Sequence, residues 1–299
     1  MPTFRSSRSF RTLFALVVSA WAVAVVLPAP AAAGPEAAPD SGGFSMSPAD
    51  AARAFREAHA ARILADFRAF LSLPNVAADA GDMAANADWI EAYLDRRGFV
   101  TTRWSAGGAP YVFAERSAPG ATGTLLVYAH FDGQPVVPEE WASPPWEPTL
   151  RTDLVVNGGR VVPWSEARES VDPEWRVFAR SAGDDKAPVI ALAAAIDALD
   201  AAGLTPTVNL KVILDGEEEI GSPTLAAILD QHADALQADL MLFCDGPMHQ
   251  SRRRQLVFGV RGSMTVDLTA YGAVRPLHSG HYGNWAPNPN DTLIRLLSD

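Results

Sequence analysis

The sequence predicts an α/β fold, a mixed, mostly parallel β-sheet flanked by helices. Two observations carry this. Between residues 100 and 244, strand-like apolar runs alternate with stretches of helical period. The chain is also 48% hydrophobic and 20% charged over 299 residues, a composition that folds around a core.

Residues 1–33 stand apart from that fold. Arg5, Arg8 and Arg11 precede an uncharged apolar run over 13–27, then Pro28-Ala29-Pro30 and Ala31-Ala32-Ala33. A basic start, a short apolar region and a small-residue cleavage site predict a secretory signal peptide and a periplasmic or secreted destination. The run falls short of the ~20 apolar residues that span a bilayer; an uncleaved anchor is the competing reading. Residues 34–46 form a Pro/Gly/Ala/Ser-rich linker. Ser47-Pro48 then offers an N-cap with Pro at the first helical position. Ile63, Leu64, Phe67, Phe70 and Leu71 form the apolar stripe of that helix. A second helix is expected over 83–97, stopped by Gly98, and strands over 100–104, 111–115 and 123–129. A helix over 187–199, a strand over 207–214, a helix over 222–233 and a strand over 239–244 complete the alternation. Residues 255–271 are strand-like, interrupted at Arg261-Gly262, and open a second domain; a helix begins over 288–297.

Charge narrows the function. Lys+Arg is 24 against Asp+Glu 35, a net charge of −11, so nothing draws the chain toward nucleic acid or anionic lipid. No nucleic-acid partner is expected, and no membrane partner once the leader is cleaved. The one cysteine, Cys244, excludes an intrachain disulfide framework and a Cys-based zinc cluster. Any metal must be held by His, Asp and Glu.

Such residues gather at strand ends. LLVYA runs into His130-Phe131-Asp132, the turn before the 187–199 helix holds Asp184-Asp185-Lys186, TVNLKVIL runs into Asp215-Gly216-Glu217-Glu218-Glu219, and DLMLFC runs into Asp245. Singly, each has a plain reading: a turn after a strand, an acidic helix start, a solvated charge run, a loop Asp. Jointly, they converge on one sheet edge, where ligands of α/β folds bind. Uncompensated carboxylates would repel there, and divalent cations remove that cost. A His/carboxylate donor set suits Zn²⁺, with Mn²⁺ or Co²⁺ as alternatives. In His130-x-Asp132 the carboxylate is placed to orient a ligating imidazole.

With Leu277-His278-Ser279-Gly280 added, the order of these motifs resembles the dinuclear zinc metallopeptidase family of aminoacylases, carboxypeptidase G, succinyl-diaminopimelate desuccinylase and carnosinase-type dipeptidases. The similarity runs over about residues 47–299 and is strongest to the dipeptidase branch. It implies an incomplete catalytic metal-binding domain over 47–254 and, over 255–299, the first part of a small α+β lid and dimerisation domain. It implies two divalent metal ions, held by His130, Asp184, Glu219 and Asp245, with Asp184 bridging and Asp132 orienting His130. Anchored on Gly221-Ser222, the family's Glu pair falls on Glu218 as general base and Glu219 as ligand; Glu217 leaves that register open by one. His278 would polarise the scissile carbonyl of a partner subunit in a homodimer, with His281 as its competitor. Ala187 replaces the family's usual glycine.

The implied reaction is hydrolysis of an amide in a small peptide by a metal-activated water. An N-acyl-amino-acid deacylase using the same site is the alternative, and a non-catalytic exported binding protein is a further one. The family also requires a metal-binding His after the lid. None of the six His residues follows a complete lid, so the sequence reads as a fragment that is inactive alone.

Overall fold

The computed structural model describes residues 46–246, 248–249, 251–253, 255–262 and 264–298. The expected signal peptide and nearly all of the linker lie outside the described residues. Helix α1 (Pro48–Leu71) starts where its cap predicts: Ser47 Oγ accepts from the N–H of Asp50 at 3.2 Å, and Pro48 fills a position that needs no donor. Helix α2 (Ala80–Asp95) starts earlier than expected because Asp79 caps it, accepting from the N–H groups of Gly81 and Asp82 at 2.9 and 3.0 Å. The chain leaves α2 through Gly98, whose φ of +77° a side chain would resist.

Strands β1 (Val100–Trp104), β2 (Tyr111–Arg116) and β3 (Thr124–His130) follow as expected. Between β3 and the next long helix the chain forms a second, three-stranded sheet: β4 (Thr149–Arg151), β5 (Val161–Val162), then the short helix α3 (Glu166–Glu169) and β6 (Arg176–Phe178). No residue pattern signals it, because strands of two or three residues carry no alternating run. Its own small core holds Leu150, Val162 and Ala167. The order then continues through α4 (Lys186–Ala201), β7 (Asn209–Asp215), α5 (Leu225–Gln231), β8 (Leu240–Phe243), α6 (Ser279–Tyr282) and α7 (Pro289–Ser298).

The main sheet is mixed, in the order β1-β2-β7-β3-β8. Strands β1, β2 and β7 pair antiparallel, while β7, β3 and β8 pair parallel. Alternate residues feed two cores. Val112, Ala114, Val127, Ala129, Val212 and Leu214 pack with Met83 and Ile90 of α2 and Val189 and Ala193 of α4. Tyr111, Phe113, Leu126, Tyr128 and Ile213 pack with Ile228 of α5 on the other face. Burial on both faces fixes the register, since a slip of one residue would exchange every side chain between the two cores. That register sets His130 beside Asp215 at the end of the β3/β7 pair.

Residues 255–271 depart from expectation. Among the described residues of this stretch no strand forms, and side chains such as Phe258 and Val260 are almost fully exposed. A strand needs a hydrogen-bonding neighbour, and none of the described strands pairs with it.

Candidate metal centre

Because β3, β7 and β8 run parallel, their carboxyl ends meet at one edge. His130 ends β3 and is fully buried. Asp184 precedes α4 and Asp245 follows β8. The Nε2 atom of His130 lies 2.8 Å from Asp184 Oδ1 and 3.9 Å from Asp245 Oδ2. One ligand atom from each of these three residues lies within 4.8 Å of the others. Glu218 Oε2 stands 3.8 Å from the same nitrogen.

Asp132, also fully buried, organises this arrangement from behind. Its Oδ1 lies 3.2 Å from His130 Nδ1 and accepts the N–H of Glu218 at 3.1 Å, while Oδ2 accepts the N–H of Glu219 at 3.0 Å. An ionised carboxylate only accepts, so Nδ1 carries a proton and Nε2 is the nitrogen facing the acids. The same side chain thereby fixes both the imidazole and the backbone of the glutamate loop.

The Asp184-Asp185-Lys186 turn divides its labour in a way the sequence did not reveal. Asp184 is exposed toward the site, whereas Asp185 is buried under the strand end and accepts the backbone N–H of His130 at 3.2 Å. Burial raises the Asp185 carboxyl to about 7, against the lowering pull of His130. Lys186 is fully buried and donates to the carbonyls of Phe70 and Leu73, each at 2.9 Å, tying α4 to the end of α1. Burial holds its ammonium well below the usual lysine range. Asn75 braces the other side, donating to the carbonyl of Phe131 at 2.7 Å and to Ser181 Oγ at 2.9 Å.

Of the three glutamates, Glu218 alone has its carboxylate within 4 Å of His130. Glu219, expected as a ligand, stands beside it in the loop but receives Gln134 Nε2 at 2.8 Å, outside the group of three. Glu217 is enclosed and bonded elsewhere. His278 caps α6, accepting the N–H of Gly280 at 3.0 Å, with His281 4.9 Å away ring to ring; its contacts are local.

One imidazole nitrogen and converging carboxylate oxygens fit a divalent cation such as Zn²⁺, Mn²⁺ or Co²⁺. The electrostatics agree. Burial raises the Glu218 carboxyl; His130 opposes that rise and Asp245 adds to it. Burial alone would lower the pKa of His130, but the bond and charge of Asp132, the bond to Asp184 and the charge of Asp185 outweigh it and hold it at about 10. A cation must therefore displace a proton from His130. Between pH 6 and 9, below that pKa, metal affinity is expected to rise about tenfold per pH unit, with one proton released per ion from this group. Calorimetry in buffers of differing ionisation enthalpy measures both, and an affinity that levels off above about pH 7 would contradict the raised pKa of His130.

Comparison with known proteins gives the following. The family model described as peptidase family M20/M25/M40 matches residues 126–283. The Cys-Gly metallodipeptidase dug1 of Schizosaccharomyces pombe is 29% identical over 192 residues, 63% of this chain and 36% of that protein. The human Beta-Ala-His dipeptidase is 25% identical over 191 residues, 63% of this chain and 33% of that protein. The solved structure of the dipeptidase Dug1p from Saccharomyces cerevisiae shares the fold at a TM-score of 0.58 and 20% identity, over 85% of this chain and 53% of that one. The chain thus spans about a third of the length of these two curated relatives.

Proposed function

The chain belongs to peptidase family M20/M25/M40, whose model matches residues 126–283 of its 299, and from that premise we propose that it is an exported metal-dependent hydrolase cleaving the amide bond of a small peptide. The observation that carries this reading is the buried His130, with Asp132 behind it, Asp184 and Asp245 before it, and Glu218 Oε2 3.8 Å from its Nε2. Export is supported by the leader-like residues 1–33. The dipeptide class is supported by the activities named for the fission yeast and human relatives.

His130, Asp184 and Asp245 would hold one divalent cation, and Glu219 with Asp184 a second, zinc being the first choice. Bound there, such ions supply Lewis-acid polarisation of a carbonyl and a water of lowered pKa. Glu218 takes a proton from the attacking water and returns it to the leaving amine. Its carboxyl, raised by burial, is the better matched to neutral pH for both transfers. Asp132 keeps Nδ1 of His130 protonated and the Glu218 backbone fixed throughout. His278 donates to the substrate carbonyl of a partner subunit, in a homodimer formed through residues 255–299; the exposed apolar side chains of Phe258 and Val260 support a covered surface there.

The test uses the protein as its gene encodes it. Cys-Gly and β-Ala-His should be hydrolysed, with turnover abolished by a chelator and restored by Zn²⁺. Turnover confined to N-acetyl or N-succinyl amino acids would move the reading to a deacylase. Turnover indifferent to chelation, or ligand binding with no turnover, would contradict it.

A further inference from the structure

Glu217 differs from the two glutamates that follow it. It is 1% exposed, and its carboxylate is given over to protein donors. Its Oε1 accepts from the N–H of Thr224 at 2.7 Å, from the hydroxyl of Tyr111 at 3.0 Å and from the hydroxyl of Thr224; its Oε2 accepts from the N–H of Ala109 at 3.1 Å. The chain entering β2 passes so close that a Cβ on Gly108 would lie 2.1 Å from Glu217 Oε2, and a side chain there would push the carboxylate out of place. Asp215, also buried, holds the other root of the loop. Its Oδ1 accepts the N–H of Glu217 at 2.8 Å; its Oδ2 accepts the hydroxyl of Ser222 at 2.7 Å and that of Tyr128 at 3.2 Å. Residues 216–222 are thereby fastened at both ends, and Asp132 fastens the middle through the N–H groups of Glu218 and Glu219.

We propose that Glu217 is a positioning residue: neither ligand nor base, it locks the 216–222 loop to β2 and α5 so that the Glu218 carboxylate stays beside His130. The proposal rests on the reading of Glu218 as the proton acceptor. A carboxylate is needed because the position faces donors from two sides, and an ionised acid presents acceptors on both oxygens. In Glu217→Gln one oxygen becomes an NH₂ that must face either the N–H of Ala109 or the donors of Thr224 and Tyr111. The loop is then released on that side while its volume is unchanged.

The experiment compares Glu217→Gln, Glu218→Gln and Leu150→Ala in the metal-loaded protein as its gene encodes it. For Glu217→Gln, kcat should fall about 10- to 100-fold with KM within about threefold and metal content unchanged. Exchange of the Glu218 and Glu219 amide hydrogens should quicken by about tenfold or more. Leu150→Ala, in the separate small core, should lower Tm with neither effect, which separates positioning from general destabilisation. Tyr111→Phe should give a milder defect of the same kind, less than additive with Glu217→Gln. Unchanged exchange and kcat in Glu217→Gln would overturn the proposal. Loss of metal, or a collapse as deep as that of Glu218→Gln, would overturn it as well, since Glu217 would then ligate or take the proton itself. A fully active Glu218→Gln would remove the base reading, and the exchange measurement alone would then decide whether Glu217 fastens the loop.

Discussion

Glu218→Gln should keep its metal and lose hydrolysis. The substitution is isosteric, and Glu218 lies outside the group of three formed by His130, Asp184 and Asp245, so the ligand atoms stay in place. What disappears is, among the described residues, the only glutamate carboxylate within 4 Å of His130 Nε2. A positioned general base contributes about 10²- to 10⁴-fold, and a loss of kcat in that range, with unchanged metal stoichiometry by elemental analysis, is the expected result. Near-normal turnover would transfer the role to another group. Metal loss would instead make Glu218 a ligand.

Asp132→Ala should weaken metal binding and destabilise the protein together. Two effects converge on one side chain. The imidazole loses the acceptor that holds Nδ1–H, and loss of such a partner costs about 10- to 100-fold in metal affinity. The N–H groups of Glu218 and Glu219 lose their acceptor in a part-buried position, and each unsatisfied buried donor costs about 1–3 kcal/mol. Calorimetric titration with Zn²⁺ and melting of the metal-free protein measure the two effects separately. Unchanged affinity would mean that His130 is oriented by something else, or does not ligate.

How much of this was legible in the sequence follows from the length scale of each signal. Ser47-Pro48 marks the start of α1 because capping needs only neighbouring residues. Strands β3, β7 and β8 could be read from apolar runs, and their common direction brought His130 and Asp245 to one edge, where Asp184, just before α4, joins them. The small sheet of β4, β5 and β6 was not legible, since its strands are too short to show a period. The expected strand over 255–271 failed for a different reason: apolar character supplies side chains to bury, while a strand also needs a partner's backbone. The Glu217-Glu218-Glu219 run was ambiguous because sequence spacing does not say which carboxylate turns inward; Tyr111, Thr224 and Ala109, distant in the chain, decide that for Glu217. Asp185 and Lys186 look like a solvated helix start; Lys186 is buried against the end of α1 and Asp185 under the end of β3.

The most direct measurement is anomalous diffraction at the zinc edge from crystals of the protein grown with Zn²⁺. A peak is expected within bonding distance, about 2.0–2.2 Å, of His130 Nε2 and of carboxylate oxygens of Asp184 and Asp245. A zinc-loaded crystal with its peaks elsewhere and those three side chains free of metal would contradict the assignment.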